Sequence, residues 1–279
     1  AGRRLRVNLF RQQGRLSAAL RLLRDGIPKL SELGLPPAAG LFSKWNKGIV
    51  LVTGETGSGK STTLAAILEE INATRPLHII TLEDPIEYVY TPKCAIVNQR
   101  EVGADVEDYE TGLYASLRED PDVILIGEMR TPETIETALT AAETGHLVFS
   151  TIHTNSAVDS IDRIVGVFPE NKQPQIRLQL SMTLKAVLSQ QLVPLASGHG
   201  RTAACELMMI TTAIRNLIRD GKTPQMASFL LSGAKDGSVT MDHSLANLAR
   251  QGIIMPETAL EVSEHPEDVR KQMNIRGNF

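Results

Sequence analysis

Cysteine and long apolar runs are scarce in this sequence, and each shortage excludes a class of protein. The two cysteines, Cys94 and Cys205, lie far apart and form no Cys-x-x-Cys pair, so they supply neither a zinc site nor a disulfide framework. That usage suits a reducing cytoplasm. No apolar run approaches the roughly 18 residues of a membrane span, and no signal-peptide pattern is present. We therefore expect a cytoplasmic protein without zinc.

The net charge of the 279 residues is −3, but it is unevenly distributed. Residues 1–25 carry seven arginines, one acidic residue and no lysine, so their net charge is +6 and that of the rest of the chain is −9. Three interpretations are open: a solvated basic face, a nucleic-acid surface, or arginines that contact phosphates bound by a neighbouring domain or subunit. Because all of these basic residues are arginines, the pattern favours directed, bidentate contacts over non-specific electrostatic attraction. The seven arginines are Arg3, Arg4, Arg6, Arg11, Arg15, Arg21 and Arg24.

The octapeptide at residues 54–61 fills the G-x-x-x-x-G-K-[ST] pattern at every fixed position. An apolar run at 48–53 predicts a buried parallel strand before it, and apolar residues at helical spacing follow it. Strand, glycine loop and helix together are typical of a phosphate-binding loop. We expect Lys60 to reach the β- and γ-phosphates of ATP and the Ser61 hydroxyl to bind Mg²⁺. The expected ATP-binding residues here are Gly54, Glu55, Thr56, Gly57, Ser58, Gly59, Lys60, Ser61 and Thr62.

Alternating strand and helix patterns predict an α/β fold with a parallel sheet. Strands are expected at 48–53, 78–82, 123–126 and 147–152, and the pattern of residues 4–9 also predicts a strand. Residues 16–23 are predicted to form a helix. Beyond about residue 172 the pattern is mainly helical, with short helices at 213–219, 224–232, 241–250 and 256–262. An apolar stripe there consists of Ile176, Leu180, Leu184, Val187 and Leu188.

Turn signals divide the chain into three parts. We expect residues 1–26 to be the end of a small N-terminal α/β domain, 27–46 to be a linker and 47–279 to be the main domain. Because the chain begins at Ala1 directly in strand-like sequence, we also expect that the first part of the N-terminal domain is missing.

Acidic residues follow two of the predicted strands, where a parallel sheet places its ligands. Glu83 and Glu87 come after the strand at 78–82, and Glu128 comes after the strand at 123–126. Nucleotide hydrolysis needs carboxylates to hold Mg²⁺ and to polarise the attacking water. Glu128 is expected to contact the metal through water, whereas Glu87 or Glu83 is the better candidate for the general base.

Two histidines bracket the strand at 147–152. His153 lies past its carboxyl end, on the nucleotide side, and is expected to contact the γ-phosphate. His146 lies at the other end. Because seven residues of strand span roughly 23 Å, both histidines cannot contact one phosphate, so we assign His146 an indirect or inter-subunit role.

These segments together resemble the secretion ATPases of type IV pili and type II secretion systems. The resemblance extends over essentially the whole chain and covers four family motifs: the Walker A loop at 54–61, the Asp box at 81–87, an atypical Walker B segment at 120–130 and the His box at 140–154. It implies a RecA-like P-loop NTPase domain with a PAS-like N-terminal domain and a helical C-terminal region. It also implies catalytic roles for Glu87, Glu128, His153 and His146, with ATP and Mg²⁺ as the ligands.

Within this family, two features favour the ATPases that retract pili over those that assemble them. The assembly and secretion enzymes usually carry a four-cysteine zinc insertion, which two cysteines cannot provide. The segment Ala213-Ile214-Arg215-Asn216-Leu217-Ile218-Arg219 matches a motif of the retraction enzymes. On a helix, Arg215 and Arg219 would line one exposed edge and serve the motor function.

The resemblance also implies partners and a location. It predicts a homo-hexamer that acts at the inner membrane, peripherally, through a pilus platform protein. The strand at 4–8 resembles the end of the family's PAS-like domain, whose arginines contact nucleotide, so Arg4, Arg6 and Arg21 are candidate ATP ligands.

Three alternatives stay open. A pilus-assembly or secretion ATPase of the same family is the nearest. A nucleic-acid translocase would share the fold, but the net charge of −9 on residues 26–279 makes a poor surface for phosphate backbones. A nucleotide switch without turnover would not need both Glu87 and Glu128.

Overall fold

A seven-stranded sheet covered by helices on both faces forms the centre of the protein. The computed structural model describes residues 4–23 and 26–273. The strand order is β5-β4-β6-β7-β3-β8-β9, in which every neighbouring pair is parallel except the antiparallel pair β8 and β9. The predicted α/β class is therefore confirmed. Arg3, Arg24 and Asp25 lie outside the described residues.

The strands are β1 (Leu5–Gln12), β2 (Arg15–Leu22), β3 (Gly48–Thr53), β4 (His78–Glu83), β5 (Ile96–Glu101), β6 (Val123–Ile126), β7 (Leu147–Ile152), β8 (Leu184–Pro194) and β9 (Arg201–Met209). The helices are α1 (Lys60–Thr74), α2 (Tyr109–Ser116), α3 (Pro132–Glu143), α4 (Ala157–Gly166), α5 (Gln173–Thr183), α6 (Thr212–Arg219), α7 (Met226–Ser232), α8 (Met241–Arg250), α9 (Pro256–Val262) and α10 (Pro266–Gln272). Among the described residues, no helix combines the length and the apolar character needed to cross a membrane.

The two faces of the sheet pack against separate hydrophobic clusters. Strands β3, β6 and β7 are buried on both sides, which explains why apolar residues dominate all three. Helix α1 and the segment 37–44 cover one face. Helices α3, α4 and α5 cover the other. Because four parallel strands lie side by side in the middle of the sheet, their carboxyl ends open onto one common edge.

The predicted helix at 16–23 is wrong, because these residues form β2 and pair with β1 in an antiparallel hairpin. The leucines at 16, 20 and 22 fit a period of two as well as a helical period. The conformation of the turn before β2 favours the strand over the helix. Gln13 and Gly14 both have positive φ, 47° and 75°, as in the two-residue turns that join hairpin strands.

The apolar stripe from 176 to 188 is not one helix. Helix α5 ends at Thr183, and Leu184 is already extended, with ψ of 135°. From there β8 pairs with β3 inside the sheet, where burial on both sides requires apolar residues without a helical period. Strands, not helices, thus occupy 184–194 and 201–209. The helical C-terminal region that we predicted is confirmed from Thr212 onward.

The segment predicted as a linker packs closely on the main domain. Residues 37–44 form a 3₁₀ helix in which Ala39 and Phe42 are fully buried against the α1 side of the core. The Phe42 and Trp45 rings lie 5.2 Å apart. This segment therefore fixes where the chain enters β3.

Candidate functional site

The loop at residues 54–59 begins where β3 ends and leads directly into α1. Gly54 has φ of 136°, and a Cβ there would lie 2.2 Å from the Gln190 carbonyl oxygen. Gly59 has φ of 94° immediately before the helix. Only glycine satisfies both positions. The loop therefore presents its backbone N–H groups at the start of α1, as an anion-binding loop requires.

Lys60 points back into this loop. Its Nζ donates hydrogen bonds of 2.8 Å to the carbonyl oxygens of Gly54 and Glu55. Burial lowers the pKa of Lys60, and the carboxylates of Glu128 and Glu87 oppose that shift. The structure thus brings the two predicted carboxylates to the lysine of the loop, although they are 27 and 68 residues away from it in the sequence.

A cleft of about 640 Å³ opens at the shared edge of the strands. The loop follows β3, Glu83 ends β4 and Glu87 comes after it, Glu128 follows β6 and His153 follows β7, and these four strands are neighbours. Of the predicted site residues, the cleft is lined by Thr56, Gly57, Gly59, Lys60, Ser61, Thr62, Glu83, Glu87, Glu128, His153, Arg6 and Arg21. Gly54 and Ser58 are buried in the loop, and Glu55 is exposed.

The two candidate bases after β4 differ in their surroundings. Glu83 Oε1 accepts hydrogen bonds from Thr81 Oγ1 at 2.7 Å and from Gln99 Nε2 at 3.1 Å. Burial raises the pKa of Glu83, and those two hydrogen bonds oppose the rise. Among the described residues, no protein hydrogen bond engages the Glu87 carboxylate. Of the two, Glu87 is thus the side chain whose oxygens are available to a water molecule.

Glu128 is the centre of a charged group at the far wall of the cleft. Its Oε2 lies 2.8 Å from Arg130 Nε and 3.6 Å from His153 Nε2. Burial and the nearby Lys60 lower the pKa of His153, and Glu128 opposes that shift. His153 is therefore mainly neutral near pH 7, so it can donate or accept a hydrogen bond at the cleft without adding a charge.

Arg130 is a residue of this site to which the sequence reasoning gave no role. It stands two positions after Glu128, where the chain leaves β6. The signal was present in the sequence, because residues two apart at the end of a strand lie on the same side. A basic residue two positions after the Walker B glutamate is thus placed to pair with it.

His146 is not part of the cleft. It lies at the amino end of β7, where its Nδ1 is 2.8 Å from the Ala141 carbonyl oxygen and its own carbonyl accepts a hydrogen bond from Gly48 N. The strand separates it from His153, as its position in the sequence predicts.

The hairpin of β1 and β2 brings arginines to the mouth of the cleft. Arg6 and Arg21 are cross-strand partners and both line it. Arg4 differs from our expectation, because its guanidinium donates to the carbonyl oxygens of Ile86 at 2.6 Å and Glu87 at 3.0 Å. Arg4 thus holds the loop that carries Glu87 and does not line the cleft itself.

Helix α6 does not present its two arginines as one exposed edge. Ile214, Leu217 and Ile218 face inward as predicted. Arg215, however, is partly buried and donates to the carbonyl oxygens of Ser181 and Met182 at 3.0 and 3.1 Å. These carbonyls belong to the last turn of α5, where a positive charge is favoured. Arg219 is exposed, and its Nε lies 3.4 Å from Oδ1 of its neighbour Asp220.

Comparisons with known proteins identify a family and several close relatives. The sequence profile described as "Type II/IV secretion system protein" matches residues 16–235. A "Twitching motility protein" of Neisseria gonorrhoeae is 48% identical over 266 residues, which cover 95% of this chain and 71% of the relative. The "Type IV pilus retractation ATPase PilT" of Pseudomonas aeruginosa is 49% identical over 265 residues, 95% of this chain and 77% of the relative.

A solved structure agrees with the sequence matches. The crystal structure of the pilus retraction motor PilT with bound ADP superposes with a TM-score of 0.89 at 51% identity, and the match covers 96% of this chain and 76% of that one. This chain is therefore similar in fold, over almost its whole length, to a protein that was crystallised with ADP.

Proposed function

This chain belongs to the type II/IV secretion system protein family, and from that membership we propose that it is an ATPase motor that powers the retraction of type IV pili in twitching motility. The observation that carries the proposal is the cleft in which the phosphate loop, Glu87, Glu128 and His153 meet. Relatives nearly half identical over 95% of the chain are named for pilus retraction and twitching motility.

The cleft has the groups that ATP hydrolysis needs. The backbone of the loop at 54–59 would bind the β- and γ-phosphates, and Lys60 would exchange its two loop carbonyls for phosphate oxygens. Glu87 would take the proton of the attacking water. Glu128, held by Arg130, and the neutral His153 would orient groups at the γ-phosphate. His146 would act from outside the cleft, through the strand it precedes or through a neighbouring subunit.

Ser61 and Glu128 fit Mg²⁺, because hydroxyl and carboxylate oxygens are the ligands that this ion prefers and both side chains line the cleft. Ser61 would hold the ion directly and Glu128 through water. Bound there, Mg²⁺ would neutralise charge on the β- and γ-phosphate oxygens.

Arg6 and Arg21 would complete the site from the hairpin. Like charges directly opposite each other destabilise a hairpin, and a phosphate between two guanidinium groups removes that repulsion. Arg4 would assist indirectly by fixing the carbonyls of Ile86 and Glu87. These roles support our assignment of residues 1–26 to the end of an N-terminal domain that acts on the nucleotide of the domain beginning at residue 47.

The finer features of the motor are proposals as well. We propose a homo-hexamer, located in the cytoplasm and held peripherally at the inner membrane by a platform protein of the pilus machinery. Neither zinc nor a nucleic acid is assigned a role. Arg215 and Arg219 are proposed to serve the motor function.

Two measurements test the function together. The purified protein is expected to hydrolyse ATP in the presence of Mg²⁺, with turnover unchanged by added DNA. Expression in a bacterium that lacks its own retraction ATPase is expected to restore twitching motility. Turnover that depends on DNA would favour the translocase alternative, and restoration of pilus assembly but not of retraction would favour an assembly ATPase.

A further inference from the structure

Glu206 is a buried carboxylate that the proposed hydrolysis does not use. It lies on β9 opposite Ser189 of β8, and its residue is only 8% exposed. The residue lies outside the cleft, and the described residues that surround it are those of the sheet and the starts of two helices. A buried acid at such a place needs a partner, because ionised groups are costly to remove from water.

The partner is the beginning of α4. Glu206 Oε1 accepts a hydrogen bond of 2.7 Å from the backbone N–H of Ala157, the first residue of that helix, which is itself fully buried. The first N–H groups of a helix have no partner within it and carry a partial positive charge. Glu206 therefore fixes the position of the first turn of α4 against the edge of the sheet.

A row of buried polar groups joins this contact to the phosphate loop. Thr53, the last residue before the loop, and Ser189 have their hydroxyl oxygens 2.7 Å apart. Ser189 is in register with both Thr53 and Glu206, so the three side chains stand side by side on the α4 face of the sheet. Both hydroxyl residues are fully buried. The row thus extends from the base of the phosphate loop to the start of α4.

The start of α4 in turn holds the loop that carries His153. Only residues 153–156 separate β7 from α4. Within them, the Thr154 hydroxyl lies 2.6 Å from Ser160 Oγ, which also donates to the Ser156 carbonyl oxygen at 2.8 Å. Because these bonds attach the short loop to the first turn of the helix, a displacement of that turn also displaces His153.

We infer that Glu206 is a positioning residue for ATP turnover: by accepting the Ala157 N–H it fixes α4 and so holds His153 at the γ-phosphate end of the cleft. The inference rests on the proposed function, in which His153 acts on the bound nucleotide. Glu206 does not contact the nucleotide itself. Its loss should therefore reduce turnover while ATP binding, which depends on the loop at 54–59, stays nearly unchanged.

The hydrogen-bond acceptor matters here, not the negative charge. Burial raises the pKa of Glu206 to about 7; the hydrogen bond from Ala157 and a backbone interaction with Met241 oppose the rise, and the carboxylates of Glu264 and Asp159 add to it. The side chain is thus partly protonated near neutral pH, and the carbonyl oxygen of the neutral acid accepts the same bond. A neutral residue with an oxygen at that position should serve equally well.

Two substitutions of similar volume isolate that acceptor. Glu206→Gln keeps an oxygen for the Ala157 N–H, whereas Glu206→Met fills the same space without one. We expect kcat of Glu206→Gln to stay within about 3-fold of wild type, and kcat of Glu206→Met to fall about 10-fold or more, since a displaced group at a reacting centre costs up to about 10²-fold. The KM for ATP should change by less than about 3-fold in both.

The assay uses the full chain, and kcat is calculated per nucleotide-binding site, with the sites counted by titration with ADP. A variant that is partly unfolded is then not mistaken for one that hydrolyses ATP slowly. Cys205→Ala is the control, because Cys205 is a buried neighbour on the same strand that faces the other side of the sheet. Wild-type kcat in Glu206→Met, equal losses in both variants, or a KM increase that matches the kcat loss would each overturn the inference. Failure of the proposed function would differ, since wild type itself would then hydrolyse no ATP.

Discussion

Lys60 is the lysine of the cleft, and its hydrogen bonds with the loop carbonyls keep it at the place where phosphate oxygens would bind. We predict that Lys60→Ala retains less than about a tenth of wild-type ATP turnover. The arginines at the mouth of the cleft cannot substitute for the positive charge that Lys60 places beside the β- and γ-phosphate oxygens. Lys47→Ala, at an exposed lysine just before β3, is the control and should leave turnover unchanged. A Lys60→Ala variant as active as that control would contradict the assignment of the loop.

Glu87 and Glu83 can be distinguished by a matched pair of substitutions. Glu87→Gln should retain ATP binding and lose hydrolysis by about 10²-fold or more, the usual effect of removing a general base. Glu83→Gln should have a smaller effect on kcat, because the Glu83 carboxylate already accepts hydrogen bonds from Thr81 and Gln99. Single-turnover hydrolysis and ATP affinity are measured for both variants. An equal loss of affinity and rate in Glu87→Gln would make Glu87 a binding group instead.

At the scale of secondary structure, the sequence predicts strands best where burial is the main requirement on their residues. The four central strands are buried along most or all of their length, so apolar residues dominate each of them, and each is followed by functional residues at its carboxyl end. The sequence alone therefore assigns the phosphate loop, Glu87, Glu128 and His153 to one edge of the sheet. Strand β5 escaped prediction because its exposed and half-buried residues are mainly polar.

Predictions were wrong where the same apolar residues fit both a helical and a strand period. They were also wrong where a contact with residues distant in the sequence determines how a side chain is placed. The leucines of β2 fit a helix as well as a strand, and only the Gln13-Gly14 turn settles their pairing. Arg215 was expected on an exposed edge because helical spacing places it beside Arg219. Its actual partners, the carbonyls of Ser181 and Met182, are more than thirty residues away in the sequence. No pattern of neighbouring residues in the sequence predicts a contact between residues so far apart.

That contact changes what the two arginines of α6 should do when they are replaced. Arg215→Ala removes two charge-assisted hydrogen bonds to the end of α5 and should lower the free energy of unfolding by roughly 1–2 kcal/mol. Arg219→Ala removes an exposed side chain and should change it by less than about 0.5 kcal/mol. Urea unfolding of the two variants measures this difference.

Arg219→Ala is then the clean test of the motor role. We expect its ATPase activity to stay near wild type while pilus retraction fails in cells, because the arginine lies on a helix away from the cleft and its loss leaves the fold intact. Normal retraction without Arg219 would contradict that role. Loss of ATPase and retraction together would instead place α6 at a subunit interface that contributes to the active site.

At the scale of the whole molecule, the opposite charges of the two parts of the chain meet at the cleft. Residues 1–25 are strongly basic and the rest of the chain is acidic. The hairpin directs Arg6 and Arg21 at the cleft and fastens the Glu87 loop through Arg4. Its other face carries leucine and valine side chains. The cleft is thus lined by two parts of the chain that are separate in sequence, which is the arrangement that the proposed motor needs if hydrolysis is to move one part against the other.

The last prediction tests whether the hairpin is part of the nucleotide site. Arg6→Ala with Arg21→Ala should lower kcat/KM for ATP by about 10-fold or more, because two guanidinium groups at the mouth of the cleft would no longer contact phosphate oxygens. Arg11→Ala with Arg15→Ala makes the same change in net charge beside the turn of the same hairpin, away from the cleft, and is the matched control. If the basic hairpin attracted ATP only through a diffuse field, both pairs would reduce kcat/KM equally and raising the salt concentration would abolish both effects. Directed contacts predict that only the Arg6 and Arg21 pair matters and that its effect persists in salt.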